Sequence, residues 1–532
     1  LSGPTYNLTL APSSVAYLPG TPTVTYGYNG DYLGPTLILN RGDFVQMHVT
    51  NLLPDTTTTH WHGMHVAPED DGGPHTRIFP DSTWSPDFEV LDEATTHWYH
   101  PHLHGLTARH VYQGASGVII VRDDHEATLN LPRTYGVDDF PLLIQDKAFD
   151  DNNQFVFAAL ADTMMVNGTL SPFLDVPAQM VRLRLLNGSN QRVYNLGVPP
   201  QVSAQMIGSD GGLLRQPLPS GRFLLAPGER VEIVLDLSGM VGDVFRMVAF
   251  NSEVPPGLSG GPGGPGGGPG NPLDAVDFEL LEFRVGPPTP NPVTNISQNL
   301  NSWVDLDEAD AARVRVKDMT EHATMTGFYY INDSPFDHHH VNDTIILGDV
   351  EVWELNNPSD VAHPFHIHDI QFFVIEYNGN LPPPHLRGRK DVVLLQPGDS
   401  VRIIARFDDF ADPNVPYMYH CHNLFHEDLG MMGQFLVIED STTGITQRRE
   451  TAGGLTVFPN PAQDVLNIRL KGWEEEMITA KVVNMHGHLV RFRQDAVSHF
   501  KRLSLNGLKP GSYVLQVRGN KKLATVKFVV ER

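Results

Sequence analysis

The chain has 532 residues, with 37 Lys and Arg against 62 Asp and Glu and a formal net charge of -25. That acidity argues against nucleic acid as a partner, and no run of 18 or more apolar residues offers a membrane span. At 40% hydrophobic and 19% charged, the composition is globular and too long for one core, so several domains are expected. The chain opens at Leu1 without a charged-then-apolar leader, which reads as a mature or trimmed start. A single cysteine neither demands nor excludes an oxidising compartment.

Short Val/Ile/Leu/Phe/Tyr runs recur between Gly, Pro, Asn and Asp clusters, so the chain reads as all-β. In a first domain, residues 1–125, Gly42–Asn51 precedes His60-Trp61-His62, and His100-Pro101-His102 follows. Both rings of a His-x-His pair leave one face of a strand. Between the pairs lies Asp71, before Gly72-Gly73, where an ordinary turn residue competes with a functional acid. Residues 123–140 read as a bridge to a second domain, 140–285. There Ala178–Asn187 repeats the pattern of Gly42–Asn51 but leads to no histidine pair. Its companion Pro227–Asp236 resembles Pro397–Arg406. The Gly/Pro-dominated stretch Pro255–Pro272 predicts a mobile surface loop, an insertion in preference to a lid. Residues 286–325 read as a second connection. A third domain, 326–440, shows the pattern again in Gly348–Asn357, ahead of His363-Pro364-Phe365-His366-Ile367-His368. The expectation is three related β-sandwiches with metal ligands on the first and third, the middle one serving as spacer and wall.

Tyr419 to Met432 is the stretch around which the chain is organised. Cys421 stands between His420 and His422, with His426 five residues on and Met431 five beyond that. Thiolate, imidazole and a weak thioether are the ligand set of a blue-copper electron-transfer site. Strand alternation sends Cys421 to one face and the flanking histidines to the other, so one strand serves two sites. Four His-x-His pairs, a cysteine and a methionine in one chain form a strong metal signal.

On these segments the sequence, over roughly residues 1–440, resembles the three-domain multicopper oxidases, the family of laccases, bilirubin oxidases and copper-efflux oxidases. The resemblance implies three cupredoxin-like Greek-key β-sandwiches and four copper ions. By it, His363, Cys421, His426 and Met431 would hold a type 1 copper, and His60 and His366 a type 2 copper. His62, His100, His102, His368, His420 and His422 would hold a type 3 pair. Asp71 and Glu427 fall where the family keeps proton-handling acids; for Glu427 a surface carboxylate competes. The cluster's ligands come from two distant segments, so it should lie between the first and third domains. Asp360 lies one position from a substrate-contacting acid of some relatives. His338-His339-His340 cannot all face one ion in regular structure and reads as a surface loop near the substrate side, while His65, His75, His97, His104 and His110 match no ligand position.

The implied activity is laccase-like: phenols or aromatic amines give up electrons singly, and O2 takes four to become water. Cuprous or ferrous ion oxidation, for metal tolerance, and bilirubin oxidation stay open, although no methionine-rich insert precedes His363. A non-enzymatic cupredoxin array would need lost cluster ligands, and none is lost. The partners are then a small reductant and O2, and a monomer is expected.

After about residue 440 the character changes. Ser441–Gly454 reads as a polar linker. Leu455–Arg532 carries 13 Lys and Arg against 6 Asp and Glu, a net +7 that leaves -32 on the preceding residues. Phe458-Pro459-Asn460-Pro461, the Gly511-Ser512-Tyr513 strand and Lys521, Lys522 and Lys527 resemble the C-terminal sorting domain of the type IX secretion system of Bacteroidota. That resemblance implies a secreted, extracellular, cell-surface or periplasmic protein; an accessory sandwich is the alternative.

Overall fold

Period-two burial sets the elements. In the strand Phe44–Asn51, Val45, Met47, Val49 and Asn51 are buried while the residues between them are not, as a half-covered sheet requires. The computed structural model describes all residues except 265–270, 323–327, 440–449, 453–454, 471–476, 485–488, 497–501, 519–522 and 532. Its strands form four pairs of sheets, drawn in turn from residues 5–122, 139–286, 311–438 and 450–530. The first three pairs are cupredoxin-like sandwiches and make one compact unit, Leu1–Val437. Ile438–Arg532 makes a second.

The internal repeat has a structural meaning. Each copy is the strand that pairs in parallel with the first strand of its sandwich. Phe44–Asn51 pairs with Thr5–Val15, Met180–Asn187 with Asp139–Lys147, and Val350–Asn356 with Ala311–His322. The last pairing corrects the boundary, because Ala311–His322 belongs to the third sandwich and not to a connection. Its Arg-Val-Arg-Val-Lys alternation puts charge on the inward face and valine on the outward one. Arg315 and Lys317 turn in to pair with Asp343 and Glu351, while Val314 and Val316 are about half exposed. The bridge 123–140 likewise holds the short helix Asp124–Thr128, capped by the Asp123 carboxylate accepting from the Glu126 amide.

The middle sandwich docks through charge. Arg182 and Arg184, on Met180–Asn187, are fully buried against Glu126, Asp139 and Glu232, and the Arg184 guanidinium also donates to Thr96 of the first sandwich. Every one of these charges is paired, the condition under which buried ions are tolerated. The predicted mobile loop is also corrected over its described part. Leu258 is fully buried against Ala362 and Leu394 of the third sandwich. A Cβ on Gly261 would come within 2.6 Å of Val254, and one on Gly264 within 1.9 Å of the Leu258 carbonyl. These glycines permit close packing, not motion. Residues 265–270 lie outside the described residues.

In the C-terminal unit, two four-stranded sheets enclose a core that includes Leu455, Val457, Leu466, Leu515, Val526 and Phe528. Asn460, from the Phe-Pro-Asn-Pro start, accepts from the Val529 amide at 2.7 Å, and Tyr513 stacks on Phe528. Both motif segments thus grip the final strand. Lys527 lies exposed on that strand; Lys521, Lys522 and most of the expected linker lie outside the described residues. Glu450–Ala452, read as linker, pairs with Leu455–Phe458.

Candidate metal centre

Two sheets present the ligands. In the third sandwich, His363–Ile367 pairs with Tyr417–Cys421 so that Phe365 faces Cys421 and His366 faces His420. Alternation then sorts the side chains. His363, Phe365, Ile367, Tyr419 and Cys421 share one face, and His366, His368 and His420 share the other. In the first sandwich, His60–His62 pairs with Thr95–His100 and sets His60 opposite His100. His426 and Glu427 come from the short helix Leu424–Asp428, whose Asp428 carboxylate accepts from the Thr107 and Ala108 amides at 3.0 and 2.9 Å. Those amides open the helix Thr107–Gln113 of the first sandwich, so one carboxylate caps a helix and joins the two ligand-bearing sandwiches.

The first ligand group is a triangle. Cys421 Sγ lies 3.5 Å from His363 Nδ1 and 3.7 Å from His426 Nδ1, and the two nitrogens are 3.2 Å apart. All three residues are buried, as is Met431 in the same core. Ser359 Oγ lies 2.9 Å from His363 Nε2, which leaves Nδ1 for a metal. The Tyr329 ring stacks on His426 at 3.7 Å and 18°. Burial raises the Cys421 thiol well above its ordinary range, so a metal must displace a proton to bind there.

Eight histidines form the second group. His62, His100 and His422 converge in one set, His102, His368 and His420 in another, and His60 and His366 with His62 in a third. In the second set, His102 Nε2 stands 3.0 Å from His420 Nε2 and 3.1 Å from His368 Nε2. In the first, His62 Nδ1 stands 3.2 Å from His422 Nε2 and 3.5 Å from His100 Nε2. Hydrogen bonds at the opposite ring nitrogens fix which atom is free. His60 Nδ1 donates to the Asp71 carbonyl, His366 Nδ1 to the Asp391 carbonyl, His100 Nδ1 to the Pro101 carbonyl and His368 Nδ1 to Asp71 Oδ2, all at 2.8–2.9 Å. His60 Nε2 and His366 Nε2 are then buried without a hydrogen-bond partner. Two lone pairs aimed into a closed space are what a metal would satisfy.

Electrostatics point the same way. Burial, then neighbouring imidazoles, holds His62, His100, His102, His366, His368, His422 and His426 well below the usual imidazole range. His363 is held at about 3 by burial, and His420 at about 3 by burial against its bond to the Cys421 carbonyl. All are neutral near pH 7, the form that binds metal.

Both predicted acids are brought here. Asp71, 2% exposed, puts Oδ2 on His368 and Oδ1 3.3 Å from His60 Nδ1. Gly72 fixes its turn: φ is +79°, and a Cβ would lie 1.8 Å from the Thr59 carbonyl. Glu427 is fully buried, its oxygens 3.3 Å from His102 Nδ1 and 3.2 Å from His420 Nδ1. A surface carboxylate it is not. Asp360 is exposed, whereas its neighbour Ser359 reaches His363.

The sequence carries no signal for Asp391 and Arg230. Asp391 Oδ1 lies 3.2 Å from His62 Nε2, and the Arg230 guanidinium donates to both its oxygens at 2.6 and 2.5 Å. Arg230 comes from the middle sandwich, which therefore reaches the cluster's back wall and is more than a spacer. Trp98, 4.1 Å from His100 between ring centroids, closes the adjacent side.

The chain is similar to known proteins over its first compact unit and again over its C-terminal unit. The family described as Multicopper oxidase matches residues 9–126 and again residues 305–441. The Secretion system C-terminal sorting domain matches residues 456–531. The chain is 36% identical over 429 residues to the multicopper oxidase mco of Staphylococcus epidermidis, covering 78% of this chain and 84% of that protein. It is 33% identical over 422 residues to the cell division protein FtsP of Xenorhabdus nematophila, covering 77% and 85%. Among solved structures, the laccase-like multicopper oxidase CueO of Ochrobactrum sp., described with oxidase activity towards lignin model compounds, aligns with a TM-score of 0.73 at 31% identity over 82% of this chain and 98% of that one.

Proposed function

The chain belongs to the multicopper oxidase family, and from that premise we infer that it is a laccase-like oxidase of phenols or aromatic amines that reduces O2 to water. One observation carries the reading. Every family ligand position is filled, and the eleven histidine and cysteine ligands are buried and gathered into mutually close sets. Family membership alone would not suffice, because it is shared with proteins named for cell division.

His363, Cys421, His426 and Met431 are the donors for a type 1 copper, His60 and His366 for a type 2 copper, and the other six histidines for a type 3 pair. Bound there, copper supplies one-electron acceptance at the thiolate and four-electron reduction of O2 among the imidazoles. The protein's own residues do the rest. His420-Cys421-His422 joins the two groups through bonded backbone, a path no substitution outside the tripeptide interrupts. Tyr329 lies over His426, on the side where a reductant would deliver electrons. Asp71 and Glu427 each touch two cluster histidines and serve as proton carriers. Burial, then Asp428 beside it, raises the Glu427 carboxyl well above its usual range, while bound cations pull it down.

Steady-state comparison of a phenol, Cu(I) and bilirubin as donors to fully metallated enzyme tests the reading. Phenol turnover above the other two supports it; fast Cu(I) turnover with inert phenols replaces it with a cuprous oxidase. The sorting domain points to export from the periplasm. Deleting residues 455–532 should leave oxidase activity intact and trap the protein in the periplasm of its host, and normal export of the truncation would contradict that role.

A further inference from the structure

Outside the ligand set, two histidines converge on a third. His338, from the triple-histidine loop, faces His75 with ring centroids 5.3 Å apart and His104 with centroids 5.6 Å apart. Those ring spacings fall in the range found inside the cluster, where His100 and His422 are 5.4 Å apart and His62 and His100 5.6 Å. Only one member of the triple-histidine run takes part, which removes the objection that three consecutive residues cannot face one ion.

His75 is oriented as a ligand is oriented. His75 Nε2 lies 2.7 Å from Gln434 Oε1, and Gln434 Nε2 donates to the carbonyls of Asp337, His338 and His340 at 3.3, 3.2 and 2.8 Å. An amide that donates through nitrogen must accept through oxygen, so His75 carries its proton on Nε2 and leaves Nδ1 free. Gln434 is 1% exposed, so this orientation is fixed from within the third sandwich. Phe336 packs on His104 and His338 at 5.2 and 4.7 Å. His338 Nδ1 is buried with no hydrogen-bond partner. Burial and the neighbouring charges keep His338 down at about 4, so its ring is neutral at pH 7.

We propose that His75, His104 and His338 form a further binding site for one divalent transition-metal ion of the imidazole-preferring kind, Cu(II) or Zn(II). Three imidazoles and a water complete a tetrahedral shell. His75 and His104 belong to the first sandwich and His338 to the third, so the ion cross-links the two. It would pin the segment that runs from Tyr329, over His426, to His340. The site is independent of the oxidase reading, since none of its ligands is a cluster ligand.

Zn(II), which is redox-inert, is the probe. Copper-loaded protein is dialysed against Zn(II), and Zn is counted per chain over whatever copper is present. About one Zn should be retained per chain, and His338→Ala and His75→Ala should each weaken it at least about tenfold. Retention of the visible thiolate band shows that these variants stay folded. The double variant His339→Ala with His340→Ala, altering exposed neighbours, should bind Zn as the parent does. No Zn beyond the copper, Zn binding untouched by His338→Ala, or equal loss in the His339/His340 variant overturns the proposal.

Discussion

Both ligand groups draw on the strand pair His363–Ile367 and Tyr417–Cys421, the second adding histidines from the first sandwich, yet their surroundings differ. Around His363, Cys421 and His426 stand a serine hydroxyl, an asparagine amide and a tyrosine ring. Among the described residues no carboxylate pairs with any of the three. Around the eight histidines stand Asp71, Asp391 and Glu427, each within 3.3 Å of an imidazole nitrogen. On the proposed reading, the cysteine side moves an electron alone, in apolar packing that resists rearrangement. On the same reading, the histidine side moves electrons with protons, because O2 becomes water only by taking up both. Breaking the contrast takes one substitution on each side.

The largest effect belongs to Cys421→Ser. It removes the thiolate and with it the blue charge-transfer band, electron entry and about one copper per chain, while the histidine groups still fill. Visible absorption, metal analysis and phenol turnover check it together. A variant that stays blue, or oxidises phenols at the parent rate, would put electron entry elsewhere.

Asp71→Asn comes next and should strike the other side only. Asparagine is near-isosteric, and its oxygen can still accept from His368 Nδ1. Copper content and reduction by substrate should hold. Reoxidation by O2 should slow by about 10²–10⁴-fold, the usual contribution of a placed proton donor. Stopped-flow mixing of reduced variant with oxygenated buffer reads this half-reaction. Unchanged reoxidation at every pH would make Asp71 a turn residue with a hydrogen bond.

Ligands were legible because a His-x-His pair on a strand announces itself at short range, and because the strand period assigns each ring a face. Asp71 and Glu427 were legible only through the family resemblance, since the Gly72-Gly73 turn read equally as an ordinary turn and a surface carboxylate competed for Glu427. Arg230 and Asp391 were not. Each is one charged residue in a strand-like run, the pattern of a solvent face, and each acts only across a sandwich boundary. Arg182 and Arg184 show the same limit: alternation gives the face but not what covers it. Ala311–His322 was lost to the connection because its inward residues are charged. The Pro255–Pro272 stretch read as mobile because composition reports what glycine permits, whereas Leu258 and the buried glycines show what the fold used it for.

Asp391→Asn tests the part that was illegible. It removes the nearer carboxylate partner of buried Arg230, leaving Asp210 at 3.8 Å, and should cost up to about 3–5 kcal/mol of stability. It also loosens His62, so copper affinity in that set should fall by about 10–100-fold. Thermal unfolding of metal-free protein reads the first effect and copper titration the second. If only stability drops, Asp391 is an interface residue and not a support for the histidine.

The smallest effect is expected at Tyr329, and it falls on the cysteine side alone. The half-buried ring lies flat on His426, so an electron reaching that edge meets an aromatic surface first. Burial raises the Tyr329 hydroxyl above its ordinary range, which keeps it protonated at neutral pH and leaves the ring as its working part. Tyr329→Leu removes the aromatic surface over His426, and reduction by a phenol should slow by about two- to tenfold, a barrier change of about 0.4–1.4 kcal/mol. Tyr329→Phe keeps the stack and should run at the parent rate. Reoxidation by O2 should be the same in all three proteins, because no cluster histidine touches this ring. Slowing of both half-reactions together would mean that Tyr329 supports the fold, and a slow Tyr329→Phe would move the function from the ring to its hydroxyl.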